Sequence, residues 1–196
     1  WANLLKLARL LLGDQFQTTS SGAATGHALL FGMNTLFEEY VGRMLHRALA
    51  GTDLQVRLQG PQDHALEADD GSRRFKTKPD IVITRHGRPV LIIDTKWKRL
   101  KGEIDDAKRG VSQSDVYQMM AYAQVYRCPR VLLLYPHQAE VGAGEGIQGS
   151  HTIRGSDERR LVVATIGVSD LADIETRLRA IVQVQVAGES GSAAAA

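Results

Sequence analysis

Cysteine is almost missing from this sequence, which has only Cys128 among its 196 residues. A lone cysteine forms no disulfide within the chain, and it excludes a zinc site built from cysteine thiolates. Chains without disulfides are typical of proteins that work inside the cell, so we expect a cytoplasmic location. No apolar run approaches the roughly 20 residues that a membrane-spanning helix needs, so we expect no membrane association.

Several common catalytic motifs are also missing. The sequence has no G-x-x-x-x-G-K-[ST] segment, so we expect no nucleoside triphosphate to bind through a P-loop. It has neither the H-E-x-x-H pattern of zinc peptidases nor the G-x-S-x-G pattern of serine hydrolases. The six histidines are scattered along the chain, and we interpret them as surface or packing residues.

Positive charge is concentrated in one segment, although the net charge of the chain is only +2. Residues 73–101 contain ten lysines and arginines against two aspartates, a charge of +8, so the rest of the chain carries −6. A charge run alone is typical of a solvated, salt-bridged surface. Here it surrounds two carboxylates, which favours a surface that attracts a polyanion toward an acidic point.

The two carboxylates belong to a predicted β-hairpin at residues 78–96, KPDIVITRHGRPVLIIDTK. Asp80 and Asp94 are each seven positions from Gly87, so folding the chain at this glycine places them opposite each other. Lys96 shares a face with Asp94 because side chains alternate along a strand. The predicted pairs are Ile81 with Ile93, Val82 with Ile92 and Ile83 with Leu91, joined by a loop at 84–89. Both strands are apolar on both faces, which is typical of central strands.

Facing carboxylates repel each other unless they bind a cation or share a proton. Oxygen ligands alone suit Mg²⁺, for which Mn²⁺ can substitute. An ion held by Asp80 and Asp94 activates water and stabilises charge on a phosphoryl oxygen, and Lys96 adds a positive charge beside it. The alternative for Asp94 and Lys96 is a structural salt bridge at the end of a strand.

The remaining patterns predict a mixed α/β domain in which helices flank a sheet. The amphipathic helix at 33–50 carries Glu38 at the edge of its apolar stripe, and the helix at 112–127 places Gln118 and Tyr122 on one face. Judged alone, that pair is about as consistent with a helix edge as with function. Other predicted elements are helices at 1–12 and 170–184, strands at 54–60, 131–135 and 161–166, and loops at 14–26, 61–74, 99–111 and 137–160.

Together these residues resemble the PD-(D/E)XK nuclease superfamily. The matching residues are Pro79-Asp80, Asp94-Thr95-Lys96, Glu38 on the preceding helix, and Gln118 and Tyr122 on the following one. More narrowly, the sequence resembles the McrC family of endonuclease subunits of modification-dependent McrBC restriction systems. The segments that carry this resemblance are Asn34-Thr-Leu-Phe-Glu-Glu-Tyr-Val, Thr77-Lys-Pro-Asp-Ile, Ile93-Asp-Thr-Lys-Trp-Lys and Asp115-Val-Tyr-Gln-Met-Met-Ala-Tyr-Ala, within residues 30–135.

The resemblance implies an αβββαβ core and a Mg²⁺-dependent endonuclease that cuts double-stranded DNA. Asp80 and Asp94 would be the metal ligands, with the Thr95 carbonyl as a third, and Lys96 would be the catalytic lysine. Glu38 would reach the metal directly or through water. Gln118 and Tyr122 would position DNA or buttress the site. We expect the basic residues around the hairpin to contact DNA or support the site, namely Lys78, Lys98, Arg99 and Lys101.

The same resemblance implies a partner, a McrB-like AAA+ protein that hydrolyses GTP and recognises modified DNA. Its binding region in the family would precede Trp1, so we expect that contact outside this chain. We expect a connector helix and loop at 1–29, the nuclease domain at 30–187 and a disordered tail at 188–196. The alternatives are a non-catalytic nucleic-acid-binding or assembly domain with the same fold, and a RecB-like exonuclease domain.

Overall fold

The computed structural model describes residues 17–19, 26–28, 32–98, 100, 111–138, 144–155, 158–169 and 172–187. The predicted helix at 1–12, most of the loop at 99–111 and the tail at 188–196 lie outside these ranges, as do Arg99 and Lys101. The chain forms two compact units, residues 1–36 and 37–196.

The first unit contains a two-stranded antiparallel sheet of β1 (Gln17–Thr19) and β2 (Gly26–Ala28). The loop predicted at 14–26 is therefore wrong at 17–19 and at residue 26. A strand of three residues is too short to show an alternating pattern, because alternation needs about four residues to be recognised. Such a strand is stabilised by backbone hydrogen bonds between the two segments, and the order of apolar and polar residues does not predict these bonds.

The second unit is built around a six-stranded mixed sheet in the order β3-β6-β7-β8-β10-β9. The described helices and the strands of this sheet are α1 (Met33–Ala48), β3 (Leu54–Leu58), β6 (Ile81–Arg85), β7 (Arg88–Thr95), α2 (Gln113–Val125), β8 (Arg130–Pro136), β9 (Gly146–Thr152), β10 (Arg160–Ile166) and α3 (Ile174–Val186). Strands β7, β8 and β10 run parallel, whereas β3, β6 and β9 are antiparallel to their neighbours. The predicted mixed α/β class is confirmed.

The predicted hairpin is observed as β6 and β7 with the predicted pairs Ile81–Ile93, Val82–Ile92 and Ile83–Leu91. The loop is shorter than the predicted 84–89, because the strands continue to Arg85 and resume at Arg88. His86 and Gly87 alone form the turn, with φ of 50° and 78°. Two consecutive positive φ values give a tight turn whose twist matches that of the strands, so the ladder extends almost to the tip.

A hydrophobic layer covers each face of the sheet, so the hairpin strands are central, as predicted. Helices α1 and α3 pack on the first face, with Phe37, Val41, Leu45, Leu178, Ile181 and Val182 against Ile81, Ile83, Leu91 and Ile93. Helix α2 packs on the second face, with Met119, Tyr122 and Ala123 against Val82, Ile92, Val131, Leu133 and Tyr135. Burial on both faces explains why the hairpin strands are apolar throughout rather than alternating.

Two loop predictions in this unit are wrong. Most of the segment 61–74 lies in a separate two-stranded antiparallel sheet, β4 (Asp63–Glu67) and β5 (Arg73–Thr77). Part of 137–160 forms the edge strand β9, which pairs with β10. These strands are polar and largely exposed, so they lack the alternation of apolar and polar residues that a buried face imposes. They are held by hydrogen bonds between backbone groups. Among the described helices, none combines the length and apolarity that crossing a membrane requires.

Candidate active site

Three predicted site residues meet where β6 begins and β7 ends. Asp80 directly precedes β6, Asp94 is the penultimate residue of β7, and Lys96 follows that strand. The carboxylate of Asp80 is fixed by Thr95, whose backbone N–H and hydroxyl both donate to Asp80 Oδ2, at 2.8 and 2.9 Å. The Asp80 carbonyl accepts a hydrogen bond from Gln59 N at 2.7 Å, so both backbone and side chain of this aspartate are positioned.

Asp94 is buried, with 1% of its surface exposed. Its Oδ2 lies 2.7 Å from Lys96 Nζ. Within the described part of the chain, this oxygen makes no hydrogen bond of normal angle. Burial is the main reason that the pKa of Asp94 rises to about 6, and the charge of Asp80 adds to it, whereas Lys96 opposes the rise. The positive charge of Lys96 therefore does not fully offset the burial of Asp94 and its repulsion from Asp80.

A hydrogen-bonded chain holds Lys96 from the other side. Lys96 Nζ donates to Gln118 Oε1 at 3.1 Å, and Gln118 Nε2 donates to the Tyr122 hydroxyl at 2.9 Å. That hydroxyl donates to the Lys78 carbonyl at 3.2 Å, so this series of hydrogen bonds ends in the segment just before Asp80. Gln118 and Tyr122 are thus placed beside Lys96, in the geometry of a buttress.

The protonation of Lys96 follows from its neighbours. Burial alone lowers the pKa of this lysine, but the close contact with the carboxylate of Asp94 and its charge, with smaller effects of Asp115 and Asp80, raise it above its ordinary value. Lys96 is therefore a cation at neutral pH. Burial raises the pKa of Tyr122 to about 12, so its hydroxyl remains a neutral hydrogen-bond donor.

Glu38 approaches the same corner from α1. Its Oε1 accepts a hydrogen bond from Gln59 Nε2 at 3.2 Å, and Gln59 Oε1 accepts one from Lys78 Nζ at 2.9 Å. Burial and the charge of Asp80 raise the pKa of Glu38, while Gln59 and Lys78 oppose the rise. The Phe37 ring packs edge-on against Trp97 at 5.4 Å between centroids, which ties α1 to the chain just after Lys96.

The predicted DNA contacts differ in their surroundings. Lys78 is exposed, and its Nζ donates a hydrogen bond to Gln59 Oε1. Lys98 is 39% exposed at its side chain, and its Nζ forms an ion pair with Asp115 and a 3.3 Å hydrogen bond with Ser112 Oγ. Arg99 and Lys101 lie outside the described residues, so their predicted role stays a prediction.

Asp115 is a site neighbour that the sequence indicated only as part of a helix cap. Ser112 does cap α2, because its Oγ accepts from Asp115 N at 3.2 Å. The Asp115 carboxylate also binds Lys98 and accepts from the Tyr135 hydroxyl at 3.3 Å. Burial alone raises the pKa of Asp115, but hydrogen bonds from Lys98 and Ser112 lower it below its ordinary value. Gln59 was also missed, because a glutamine at the end of a strand gives no motif.

The comparison with known proteins bears on this corner. Residues 1–136 match the family described as McrBC 5-methylcytosine restriction system component. The chain belongs to the McrBC family. The match includes every residue of the cluster, from Glu38 through Asp80, Asp94 and Lys96 to Tyr122. No curated protein sequence matches the chain.

The fold of this McrBC family member also has a relative among solved structures. That relative is a chain in a complex described as a refined half-complex from a tetradecameric assembly of Thermococcus gammatolerans McrB AAA+ hexamers with bound McrC. The TM-score is 0.55 at 17% sequence identity, and the alignment covers 81% of the present chain. The present chain spans about a third of that chain's length, 34%.

The cluster offers two carboxylates for a cation. Within the described ranges, no three histidine, cysteine, aspartate or glutamate side chains come together as a metal site, so Glu38 does not complete a set with Asp80 and Asp94. The oxygen donors fit a hard cation such as Mg²⁺, which takes one or two carboxylates and keeps several waters. The enclosed Asp94 Oδ2 and the raised pKa of Asp94 indicate a place where added positive charge is favourable.

Proposed function

We propose that this McrBC family member is a metal-dependent endonuclease domain that hydrolyses phosphodiester bonds of modified double-stranded DNA. The observation that carries the proposal is the meeting of Asp80, Asp94 and Lys96 at one end of the central hairpin. Two acids and a lysine on adjacent positions of paired strands are the constellation of the PD-(D/E)XK nucleases. The hydrogen bonds that Thr95 donates to Asp80 and that Lys96 donates to Gln118 hold this constellation in one geometry.

Mg²⁺, or Mn²⁺ in its place, would be held by the carboxylates of Asp80 and Asp94, with the Thr95 carbonyl as a further oxygen ligand. When bound, such an ion activates water and neutralises charge on the phosphoryl group. Thr95 serves Asp80 as well, because its N–H and hydroxyl fix one carboxylate oxygen. Glu38, which forms no three-ligand cluster with Asp80 and Asp94 among the described residues, would act through water rather than as a direct ligand.

Lys96 supplies positive charge where the reaction develops negative charge. Hydrolysis forms a bond between a water oxygen and phosphorus and breaks the bond from phosphorus to a deoxyribose oxygen. Because Lys96 is protonated, it acts by stabilising the phosphoryl oxygens and orienting water, not as the base. Gln118 positions the ammonium group, and Tyr122 fixes the glutamine amide, so both act through Lys96.

We further propose that the chain works in the cytoplasm with a McrB-like AAA+ GTPase that recognises modified DNA. The family description names 5-methylcytosine restriction, and the similar structure holds McrB hexamers with bound McrC.

The test is cleavage of a closed circular plasmid carrying 5-methylcytosine, with the AAA+ partner, GTP and Mg²⁺. Lys96→Ala and Asp80→Asn are each expected to reduce the cleavage rate by at least about 100-fold, since the first removes a positive charge that acts in the transition state and the second removes a ligand charge that would hold the metal. Arg88→Ala, at the far end of the hairpin, is the matched control and should cut at the normal rate. Circular dichroism checks that each variant is folded.

Three outcomes would contradict the proposal. Undiminished cutting by Lys96→Ala refutes the catalytic assignment. Cutting that persists in EDTA refutes the metal. Activity on linear DNA ends without nicking of circles would favour the exonuclease alternative, because a circle offers no end to an exonuclease.

A further inference from the structure

The separate sheet of β4 and β5 is a two-stranded ribbon that the proposed chemistry does not use. It carries a run of four exposed residues, Arg73, Arg74, Phe75 and Lys76. A two-stranded ribbon is one of the elements that the DNA major groove admits. We propose that one face of this ribbon, defined by Leu66, Arg74 and Lys76, is a DNA-binding surface that holds the duplex beside Asp80. The inference rests on the proposed nuclease function and assigns it a binding element.

Cross-strand pairing separates the charges of the ribbon between its two faces. Leu66 is paired with Arg74, and His64 with Lys76, and directly opposed residues share a face. This outer face therefore holds two cations, an exposed leucine and a half-buried histidine, and no carboxylate of either strand.

The acidic residues of β4 lie on the other face. Asp63 is paired with Thr77 and Glu67 with Arg73. Thr77 is buried, and its hydroxyl lies 2.8 Å from that of Tyr126, so the base of this face turns toward the domain, whereas Glu67 and Arg73 further along it are exposed. Asp69 and Asp70 are in the connecting turn rather than on either strand. The ribbon thus offers a polyanion a cationic face, although its overall charge is not positive.

The ribbon is anchored at its base, and its cations are only a few residues from Asp80. The Tyr126 hydroxyl donates to the Pro61 carbonyl at 2.8 Å and lies 2.8 Å from the Thr77 hydroxyl, so both strands are held to the end of α2. Lys76 and Arg74 precede Asp80 by four and six residues, which spans at most about 14 and 22 Å. Both distances are shorter than one turn of B-DNA, about 34 Å, so the cations reach phosphates near the one held at Asp80.

Phe75 provides a second, independent observation. It lies between the two cations along the chain, so strand alternation places it on the face of Arg73 and Thr77, yet it is 72% exposed and has φ of 56°. A bulky residue rarely adopts a positive φ, and both the conformation and the exposed ring cost free energy in the isolated protein. An exposed ring on a residue adjacent to both cations can pack on sugars or bases while the cations bind phosphates, as in other nucleic-acid-binding surfaces.

The test measures the affinity for a fluorescently labelled 30-base-pair duplex by anisotropy, in EDTA so that no cleavage occurs. Arg74→Ala/Lys76→Ala is expected to weaken binding by about 10-fold or more and to reduce the slope of log Kd against log[KCl] by about 1.8, or about 0.9 for each lost phosphate contact. Arg88→Ala/Arg154→Ala removes the same charge from the opposite end of the sheet and should change affinity less than about 2-fold.

A second variant separates binding from folding. Phe75→Gly is expected to weaken DNA binding without lowering the melting temperature, because glycine adopts a φ of 56° without strain. Equal affinity and salt slope for Arg74→Ala/Lys76→Ala and the wild-type protein would overturn the inference. So would a loss of association with the AAA+ partner at unchanged DNA affinity, which would assign this face to a protein.

The two proposals fail independently. If Lys96→Ala cuts normally while the ribbon variant loses its salt slope, the catalytic assignment of Lys96 is wrong and the binding surface stands. If the ribbon variant binds normally while Lys96→Ala is inactive, only the binding surface is wrong.

Discussion

Replacing Asp94 with asparagine should make the metal-free protein more stable at neutral pH. In the folded protein, burial and Asp80 raise the pKa of Asp94 from 3.8 to about 6. Between these values the folded state binds more protons than the unfolded state. The contribution of Asp94 to stability is therefore fully present below about pH 4 and is lost as the pH rises through 6. Asparagine resembles the neutral acid, so Asp94→Asn does not suffer this loss.

The size of the effect follows from the pKa shift. A shift of about two units corresponds to roughly 3 kcal/mol of unfolding free energy, which we take as an upper bound. For a chain of this length, 1 kcal/mol changes the melting temperature by about 2–4 °C. At pH 7.5 the variant is expected to melt up to about 10 °C above the wild-type protein, and near pH 4 the difference should vanish.

The assay is thermal or urea unfolding in EDTA at several values between pH 4 and pH 8. Asp115→Asn is the matched control, because it makes the same change on an aspartate whose pKa is lowered. Asp115 stabilises the folded state above its unfolded pKa and loses this effect as the pH falls, so its variant should be less stable at neutral pH. Added Mg²⁺ should stabilise the wild-type protein at pH 7.5 and have less effect on Asp94→Asn.

The reasoning is refuted if Asp94→Asn and the wild-type protein have the same stability at pH 7.5 and the same dependence on pH. That result would mean that Lys96 fully compensates the buried carboxylate. The site would then be a closed salt bridge that has no need of a cation.

Two further predictions concern the residues around the site. Gln118→Ala removes the hydrogen bond to Lys96 and is expected to slow single-turnover cleavage by about 10-fold to 100-fold, with DNA affinity changed less than 2-fold. An equal fall in affinity would instead make Gln118 a DNA contact. Tyr126→Phe removes the hydroxyl that binds Thr77 and the Pro61 carbonyl, and it should cost about 1–2 kcal/mol in urea unfolding. An unchanged urea midpoint would show that the ribbon is held by other contacts.

The sequence predicted the hairpin well because its information is local. A turn at Gly87 and two apolar strands leave one register in which Ile81 meets Ile93, and this register is observed. A shift by one residue would move every side chain to the opposite face. The same register brings Asp80 and Asp94 to one end, and alternation places Lys96 beside Asp94.

The exposed strands were missed for the opposite reason. β9 and most of the ribbon were assigned to loops because their polar residues have no buried face to impose a pattern. Their pairing connects segments through backbone groups, which every residue carries alike. The proposed DNA-binding face of the ribbon can be recognised only from the cross-strand pairs, because acidic and basic residues are mixed along the sequence.

By itself, the sequence determined which groups lie at the open end of the hairpin, opposite the turn, since strand alternation and a single tight turn allow little freedom. Only the tertiary structure decided what those groups touch. It placed Gln118 against Lys96, Gln59 between Glu38 and Lys78, and Asp115 against Lys98. These contacts depend on how helices pack across the sheet, and packing is set by the whole core rather than by the residues on either side of a motif.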